Sequence, residues 1–307
     1  MNLAELEFFK SHGIEYQSTI AQGGFGVVFN VYSTHYHTFF ALKKIPDVSF
    51  NESEIECIKQ IDDPHIVSLY QYYKFDNSIY LLMEYCPSDL EKYLKSNRHI
   101  SPTQLQKYIY DAVKAIHQCH AKGIAHCDIK PSNFMFDKYG RLKIGDFGLS
   151  TSKPELVHSN RGTPVFMAPE TFMKNQYCPI KADIWSLGVM IYFMATLEFP
   201  FYGETRSALI QNIIRTRYND DNVEDGQLRE VISCCLDPNP AKRLSTEDIL
   251  NLPYFTCQNQ ESCLPLLKKE GISRSCDRLL KPSPSFRASL LHRIPRCSRL
   301  CQNITVW

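Results

Sequence analysis

His126-Cys127-Asp128-Ile129-Lys130-Pro131-Ser132-Asn133 sets a carboxylate, an amine and an amide at 128, 130 and 133, and Pro131 keeps a helix from running through them. Three polar groups of complementary chemistry can therefore converge from one loop. Thirteen residues after Asn133, Asp146-Phe147-Gly148 places a second carboxylate in a glycine-flanked turn that follows the apolar run Leu142 to Ile144. An acceptor for a hydroxyl proton, a cation for an oxyanion, and an amide with a carboxylate for a hard metal ion suit phosphoryl transfer from a nucleotide.

Composition bounds the alternatives. With 307 residues, 44% hydrophobic and 22% charged, the chain is long enough for a full core and is expected to be globular with two lobes. Its net charge of +1 makes no global demand for a nucleic acid or an anionic membrane. The charge is uneven: residues 256–307 hold nine Lys/Arg against three Asp/Glu, a balance of +6, and the first 255 residues stand at −5. Met1 to Lys10 has no signal-peptide pattern, and the longest uncharged apolar run, Ile184 to Leu197, is too short to span a bilayer. The expectation is an intracellular, cytoplasmic protein, the nucleus remaining open, whose twelve scattered cysteines are reduced thiols.

Along the chain, Ile14 to Ile20 reads as a strand leading into Ala21-Gln22-Gly23-Gly24-Phe25-Gly26-Val27-Val28, and the β-branched and aromatic residues that follow predict a second strand. Strand-turn-strand makes a glycine flap that can close over phosphates, whereas a dinucleotide fold would need the glycines to open a helix. Phe39 to Lys44 is a third strand. Asn51 to Ile61 reads as a helix with Ile55, Ile58 and Ile61 on one face, and Pro64 to Tyr73 and Ile79 to Glu84 as two more strands around a turn at Asp76-Asn77. The chain loosens at Cys86-Pro87-Ser88, the expected hinge. Ser101 as cap, Pro102 in the first turn and Gln104 then begin a helix reaching about Lys122.

Taken together, these residues resemble the eukaryotic protein kinase family, serine/threonine type, over about Ile14 to Phe255. The resemblance implies an α+β, bilobal protein kinase fold: a small antiparallel five-stranded sheet with one helix (14–85) and a larger, mainly helical lobe (86–255). Residues 1–13 would be a lead-in and 256–307 a basic tail, largely disordered. By resemblance, Ala21, Gly23, Gly24, Phe25, Gly26 and Val28 form the glycine-rich loop, and Ala41 and Lys43 lie on the strand that carries the phosphate-binding lysine. Glu54 is its helix partner. Glu84 and Cys86 belong to the adenine-binding hinge, Met83 is the residue behind it, and Asp89 falls where the ribose is held. Asp128 would accept or orient the substrate hydroxyl proton, Lys130 would neutralise the transferring phosphoryl group, and Asn133 and Asp146 would hold Mg²⁺. ATP and Mg²⁺ are the implied cofactors. Protein Ser/Thr hydroxyls are the implied substrates, with no nucleic-acid partner and no transmembrane segment expected and the oligomeric state left open by the sequence. Ala168-Pro169-Glu170 would close the activation segment, Arg243 would pair with Glu170 structurally, Asp183 would start a buried helix, and Thr163 would touch Asp128 and Lys130.

Three departures matter. Ala21 replaces the family's first glycine, and the stretch from Lys43 to Glu54 is short, which predicts a helix trimmed at its start. Cys127 stands where many kinases carry an arginine that holds an activation-loop phosphate, a bidentate contact that a thiol cannot make. Ser159, where such phosphorylation falls, is therefore expected not to be required for activity. Ser132 replaces a glutamate common in kinases that prefer basic substrates, which removes one reason to expect that preference. A nucleotide-binding scaffold without turnover and a dual-specificity kinase are the alternatives. The cluster His117, Cys119, His120, His126 and Cys127 lacks zinc spacing.

Overall fold

The computed structural model describes residues 1–23, 26–97, 99–152, 162–173 and 176–256. The tail, Gly24, Phe25 and Ser159 lie outside the described residues. From sequence, residues 1–13 read only as a lead-in; the structure instead folds them into helix α1 (Leu3–Ser11). A capping box closes its first turn, Asn2 accepting the Glu5 amide (2.8 Å) and Glu5 accepting the Asn2 amide (2.7 Å). Phe9 is buried edge-on to Tyr73 and Tyr80, and the Glu5 carboxylate is held by the Tyr80 hydroxyl (2.7 Å) and the Lys44 ammonium.

The strands β1 (Ile14–Gly23), β2 (Gly26–Ser33) and β3 (Thr38–Pro46) form successive hairpins. Helix α2 (Glu52–Lys59) follows, then β4 (Leu69–Phe75) and β5 (Ser78–Glu84), completing an antiparallel five-stranded sheet in the order β1-β2-β3-β5-β4. The β4–β5 turn is the expected one: Asp76 and Asn77 both take left-handed conformations, φ 45° and 53°, as a two-residue hairpin requires. Strand alternation gives the sheet two apolar faces. Phe29, Val31, Leu42, Tyr80 and Leu82 pack with Phe9 and Ile14, while Ile45, Ile79, Leu81 and Met83 join Ile58 and the core of the helical part.

Two boundaries differ from the sequence expectation. The strand expected from Pro64 starts only at Leu69, because the preceding main chain is spent elsewhere: Val67 N–H donates to Ile144 O (2.9 Å) and Ile144 N–H to His65 O (2.8 Å). Helix α2 is shorter than 51–61, its approach taken up by a 3₁₀ turn at Asp47–Ser49 and its start capped by the Asn51 side chain.

Beyond the hinge come β6 (Ser88–Asp89), α3 (Leu90–Ser96) and α4 (Pro102–His120), the last capped by Ser101 on the Gln104 amide. Then β7 (Phe134–Phe136) and β8 (Leu142–Ile144) pair with β6 in the order β6-β7-β8. Helix α5 (Pro179–Thr196) is buried along most of its length, with Trp185 stacked on Phe201; α6 (Arg206–Arg215) and α7 (Gly226–Cys235) follow, α7 packing on α5, and α8 (Thr246–Leu250) and α9 (Pro253–Thr256) pack on α4. Among the described residues, no helix is long and apolar enough to cross a membrane.

Candidate active site

The site lies where sheet and helical part meet. In the β2–β3–β5 register Val28 is opposite Lys43 and Ala41 opposite Met83, which places Val28, Ala41, Lys43 and Met83 on one face of the sheet. Lys43 is buried, 8% exposed, and its ammonium donates to Glu54 Oε1 (2.6 Å) and Asp146 Oδ1 (2.8 Å). The short connection before α2 thus leaves Glu54 in the first turn of the helix and still within reach of Lys43. Burial opposes the charge on Lys43, but Asp146 and then Glu54 outweigh it and hold the ammonium above the usual lysine range. The same lysine outweighs burial at Asp146, whose carboxyl is held below its ordinary range. At Glu54 burial dominates and pushes the carboxyl up, with Lys43 only partly compensating.

The glycine hairpin is closed by the pair Gly23 and Gly26. Gly26 has φ +121°, and a Cβ there would sit 2.0 Å from the Lys44 carbonyl oxygen, so only glycine fits. A Cβ at Gly23 would meet nothing within 4 Å, so the fold does not demand glycine there. Ala21 is exposed on β1 opposite Val28 and leaves the hairpin intact.

The catalytic-loop segment is fixed from beneath. His126 is fully buried; its Nε2–H donates to Gly145 O (3.0 Å) and its Nδ1 accepts the Asp128 amide (3.4 Å), because a carbonyl can only accept and an amide N–H only donate. Cys127 adopts φ 64° and Asp146 φ 59°, left-handed conformations that the surroundings must enforce. Asp183, at the start of α5, does so for Cys127: its carboxylate accepts the amides of His126 (2.7 Å) and Cys127 (2.9 Å) and the Nε2–H of His120 (3.0 Å). Expected only to open a buried helix, Asp183 is a supporting residue that the sequence reading missed. Its signal was a lone charge in Ala182-Asp183-Ile184-Trp185.

Asp128 gathers the loop's polar groups. Oδ2 accepts from the Lys130 ammonium (2.6 Å) and the Asn133 amide (3.1 Å), and Oδ1 accepts from the Thr163 hydroxyl (3.3 Å), which itself accepts from Lys130 (3.2 Å). The expected contact of Thr163 with both residues is thus present. Gly162, φ +110°, brings that segment within 3.0 Å of the Cys127 carbonyl at the position of a Cβ. Both amide N–H groups of Asn133 are used, on Asp128 O (2.7 Å) and Oδ2, so neither bond occupies its carbonyl oxygen, which could serve as a ligand to a hard cation.

Two serine hydroxyls add neutral joints to the Asp183 contacts. The Ser150 hydroxyl donates to His126 O (3.1 Å) and the Ser53 hydroxyl to Ser150 O (3.3 Å), tying α2, the Asp146 turn and the catalytic loop together. At the hinge, burial, reinforced by Glu84, pushes the Cys86 thiol up to about 12. The Asp89 carboxylate caps α3, accepting the Lys92 amide (2.8 Å), and pairs with the Lys92 ammonium (3.0 Å), so a sugar hydroxyl would have to share it. The side chain of Glu84 is bound to Lys143 of β8, a buried lysine in what reads from sequence as an apolar run. Outside the site, Arg243 makes two bonds to Glu170 (2.6 and 2.8 Å), as expected. His117 turns to Thr246 (3.2 Å), His120 to Asp183, and Cys119 is fully buried, so the three serve separate places.

A five-stranded sheet hinged to a helical part, with a buried lysine–dicarboxylate cluster between them, is the architecture of a protein kinase. The family model described as protein kinase domain matches residues 14–255, and the chain belongs to that family. Similar curated proteins include CBL-interacting serine/threonine-protein kinase 20 of Arabidopsis thaliana, 33% identical over 66% of this chain and 47% of the relative, and sperm motility kinase 2B of Mus musculus, 33% identical over 66% of this chain and 43% of the relative. CBL-interacting serine/threonine-protein kinase 15 of Arabidopsis thaliana is 31% identical over 71% of this chain and 53% of the relative. The chain spans about half the length of these relatives.

Proposed function

We propose that the chain transfers the γ-phosphoryl group of ATP, as its magnesium complex, to serine and threonine hydroxyls of protein substrates. The observation that carries this reading is Lys43 bridging Glu54 and Asp146, residues 11 and 103 positions away, beside an Asp128 whose oxygens are oriented by Lys130, Asn133 and Thr163. Two of the three ammonium hydrogens of Lys43 are engaged, and the third is available to a phosphate oxygen. The oxygens of Asp146 and Asn133 are hard ligands that fit Mg²⁺, which when bound would neutralise charge on the phosphates. Val28, Ala41 and Met83 offer an apolar slot for the base on the same sheet face as Lys43.

In this reading, Asp128 takes the proton of the attacking hydroxyl, which bonds to the γ-phosphorus as the bond to the β-phosphate oxygen breaks. Lys130 neutralises the transferring group from its place between Asp128 and Thr163. That lysine–threonine contact, and relatives named serine/threonine-protein kinases, support Ser/Thr over Tyr. Because a thiol at Cys127 cannot make the bidentate contact with a phosphate that an arginine would, turnover does not depend on phosphate at Ser159 in this reading, and Ser159→Ala is expected to retain it.

The test is transfer from magnesium ATP to a degenerate Ser/Thr/Tyr peptide array, with Asp128→Asn as the comparison. Transfer to Ser/Thr peptides that vanishes in the variant supports the reading. Transfer confined to Tyr peptides overturns the substrate class, and magnesium ATP bound without any transfer overturns turnover in favour of a scaffold.

A further inference from the structure

Lys143 is the middle residue of β8, its side chain is 3% exposed, and the chemistry above makes no use of it. A buried ammonium persists only when it is paired and hydrogen-bonded. Its partner is the carboxylate of Glu84, 59 residues away, the last residue of β5 and the first of the hinge. β5 belongs to the five-stranded sheet and β8 to the three-stranded one, so this ion pair crosses the junction of the two parts at the hinge itself.

The surroundings make the pair directional. Glu84 Oε2 also accepts the Ser68 amide (3.3 Å), and the Glu84 amide donates to Ser68 O (2.9 Å), so both the side chain and the main chain of Glu84 are held. Next to Lys143, Ile144 exchanges main-chain bonds with residues 65 and 67, as described above. Gly145 follows, where a Cβ would meet Met135 and Val67 at 3.1 Å, and then Asp146. One short strand therefore sets a metal-ligating carboxylate at its end and the hinge through its middle side chain. A methionine would fill the same volume but could not choose where Glu84 points.

We propose that Lys143 is a positioning residue for the nucleotide base: its ion pair with Glu84 fixes the hinge main chain from Glu84 to Cys86 so that its hydrogen-bonding edge meets the base. The proposal rests on the nucleotide reading given above. It assigns the pair to base affinity and leaves the phosphoryl-transfer step to Asp128, Lys130 and Lys43.

The experiment uses the full chain and compares Lys143→Met, Glu84→Gln, the double variant and Lys143→Arg. Affinities for magnesium ATP and for magnesium tripolyphosphate, which has the phosphate chain and no base, are measured together with kcat and KM. Each single variant is expected to weaken magnesium ATP about tenfold and tripolyphosphate less than about twofold, with KM for ATP rising and kcat falling less than about threefold. The double variant should lose no more than the worse single one, and Lys143→Arg should bind as the parent does. Where a single variant loses its fold, the double variant, which leaves no unpaired charge, carries the same measurement. Equal weakening of both ligands, additive losses in the double variant, a fall in kcat at constant KM, or unchanged affinities would overturn the proposal. A parent protein that does not prefer magnesium ATP to tripolyphosphate would remove the nucleotide reading and this one together. Base-dependent binding in the parent with indifferent variants would sink the Lys143 role alone.

Discussion

Replacing Asp183 by asparagine keeps its shape and removes its charge, and the consequence can be worked from its three contacts. Oδ2 accepts the His126 amide and the His120 Nε2–H, and Oδ1 accepts the Cys127 amide, all at 2% exposure of the residue. Asparagine offers one acceptor oxygen, so in its better orientation it keeps His126 and His120 and turns an NH₂ group against the Cys127 amide. Losing that charge-assisted bond costs about 1.5–3 kcal/mol, and the two surviving bonds weaken to neutral ones at roughly 0.5 kcal/mol each. The sum is about 3 kcal/mol, or a fall in Tm of about 6–12 °C for a domain of this size. Cys127 is the residue before Asp128 and is held at φ 64°, so release of its amide lets the Asp128 carboxylate drift. A misplacement of about 1 Å costs on the order of 10²-fold in kcat. Thermal unfolding and steady-state kinetics with saturating magnesium ATP read the two effects separately. A Tm within about 2 °C of the parent and kcat within about threefold would refute the claim that this carboxylate fixes the loop.

Three further outcomes are expected. Gly26→Ala, whose Cβ would sit 2.0 Å from Lys44 O, should cost about 1–3 kcal/mol by backbone displacement and weaken nucleotide binding. Gly23→Ala, with nothing within 4 Å, should leave Tm within about 2 °C; equal effects in thermal unfolding would refute the distinction. His65 lies between Asp111 (3.7 Å) and Asp63 (2.8 Å), whose carboxylates raise its pKa against burial. The folded protein therefore holds that proton more tightly than the unfolded chain, and the gain, full below the ordinary histidine range, is lost as pH rises through the raised value. The Tm gap between the parent and His65→Asn should narrow from about pH 5.5 to about pH 8.5, and a constant gap would show that no such proton is involved. Arg243→Lys should lower stability by about 3 kcal/mol in chemical unfolding while kcat per folded molecule stays within about twofold, because lysine cannot reproduce both Glu170 bonds together with those to Lys181 O (2.7 Å) and Asp237 O (2.9 Å).

What could be read from sequence depended on how each residue announces itself. The catalytic loop, the Asp146 turn and the glycine hairpin declare themselves because proline and glycine fix the local backbone and leave the polar groups with no role in a core. Helix and strand periods delivered α4 and the five strands, but not where β4 begins, because the bonds that end the preceding segment run to Ile144 in another sheet. The first helix was within reach: Asn2 and Glu5 are the two ends of a capping box, although a polar N-terminus invites dismissal as an unstructured lead.

The residues that escaped have one physical cause in common. Glu5, Lys143 and Asp183 are single charges among apolar neighbours, and a hydrophobic average absorbs them as noise. Energetically they are the opposite of noise, since an unpaired charge at 2% exposure is costly enough that each must have found a partner. The partners are far off in the chain: Lys44 and Tyr80 for Glu5, Glu84 for Lys143, and the main chain at His126 and Cys127 for Asp183. No period reports a pairing across 39 to 75 residues. Burial of a lone charge nevertheless demands one, so an isolated Asp, Glu or Lys within an apolar run predicts a long-range polar contact even where sequence cannot say with whom. In this chain that demand is met beside the sheet, at the hinge and under the catalytic loop, so the charges that looked least informative fix the elements that carry the site.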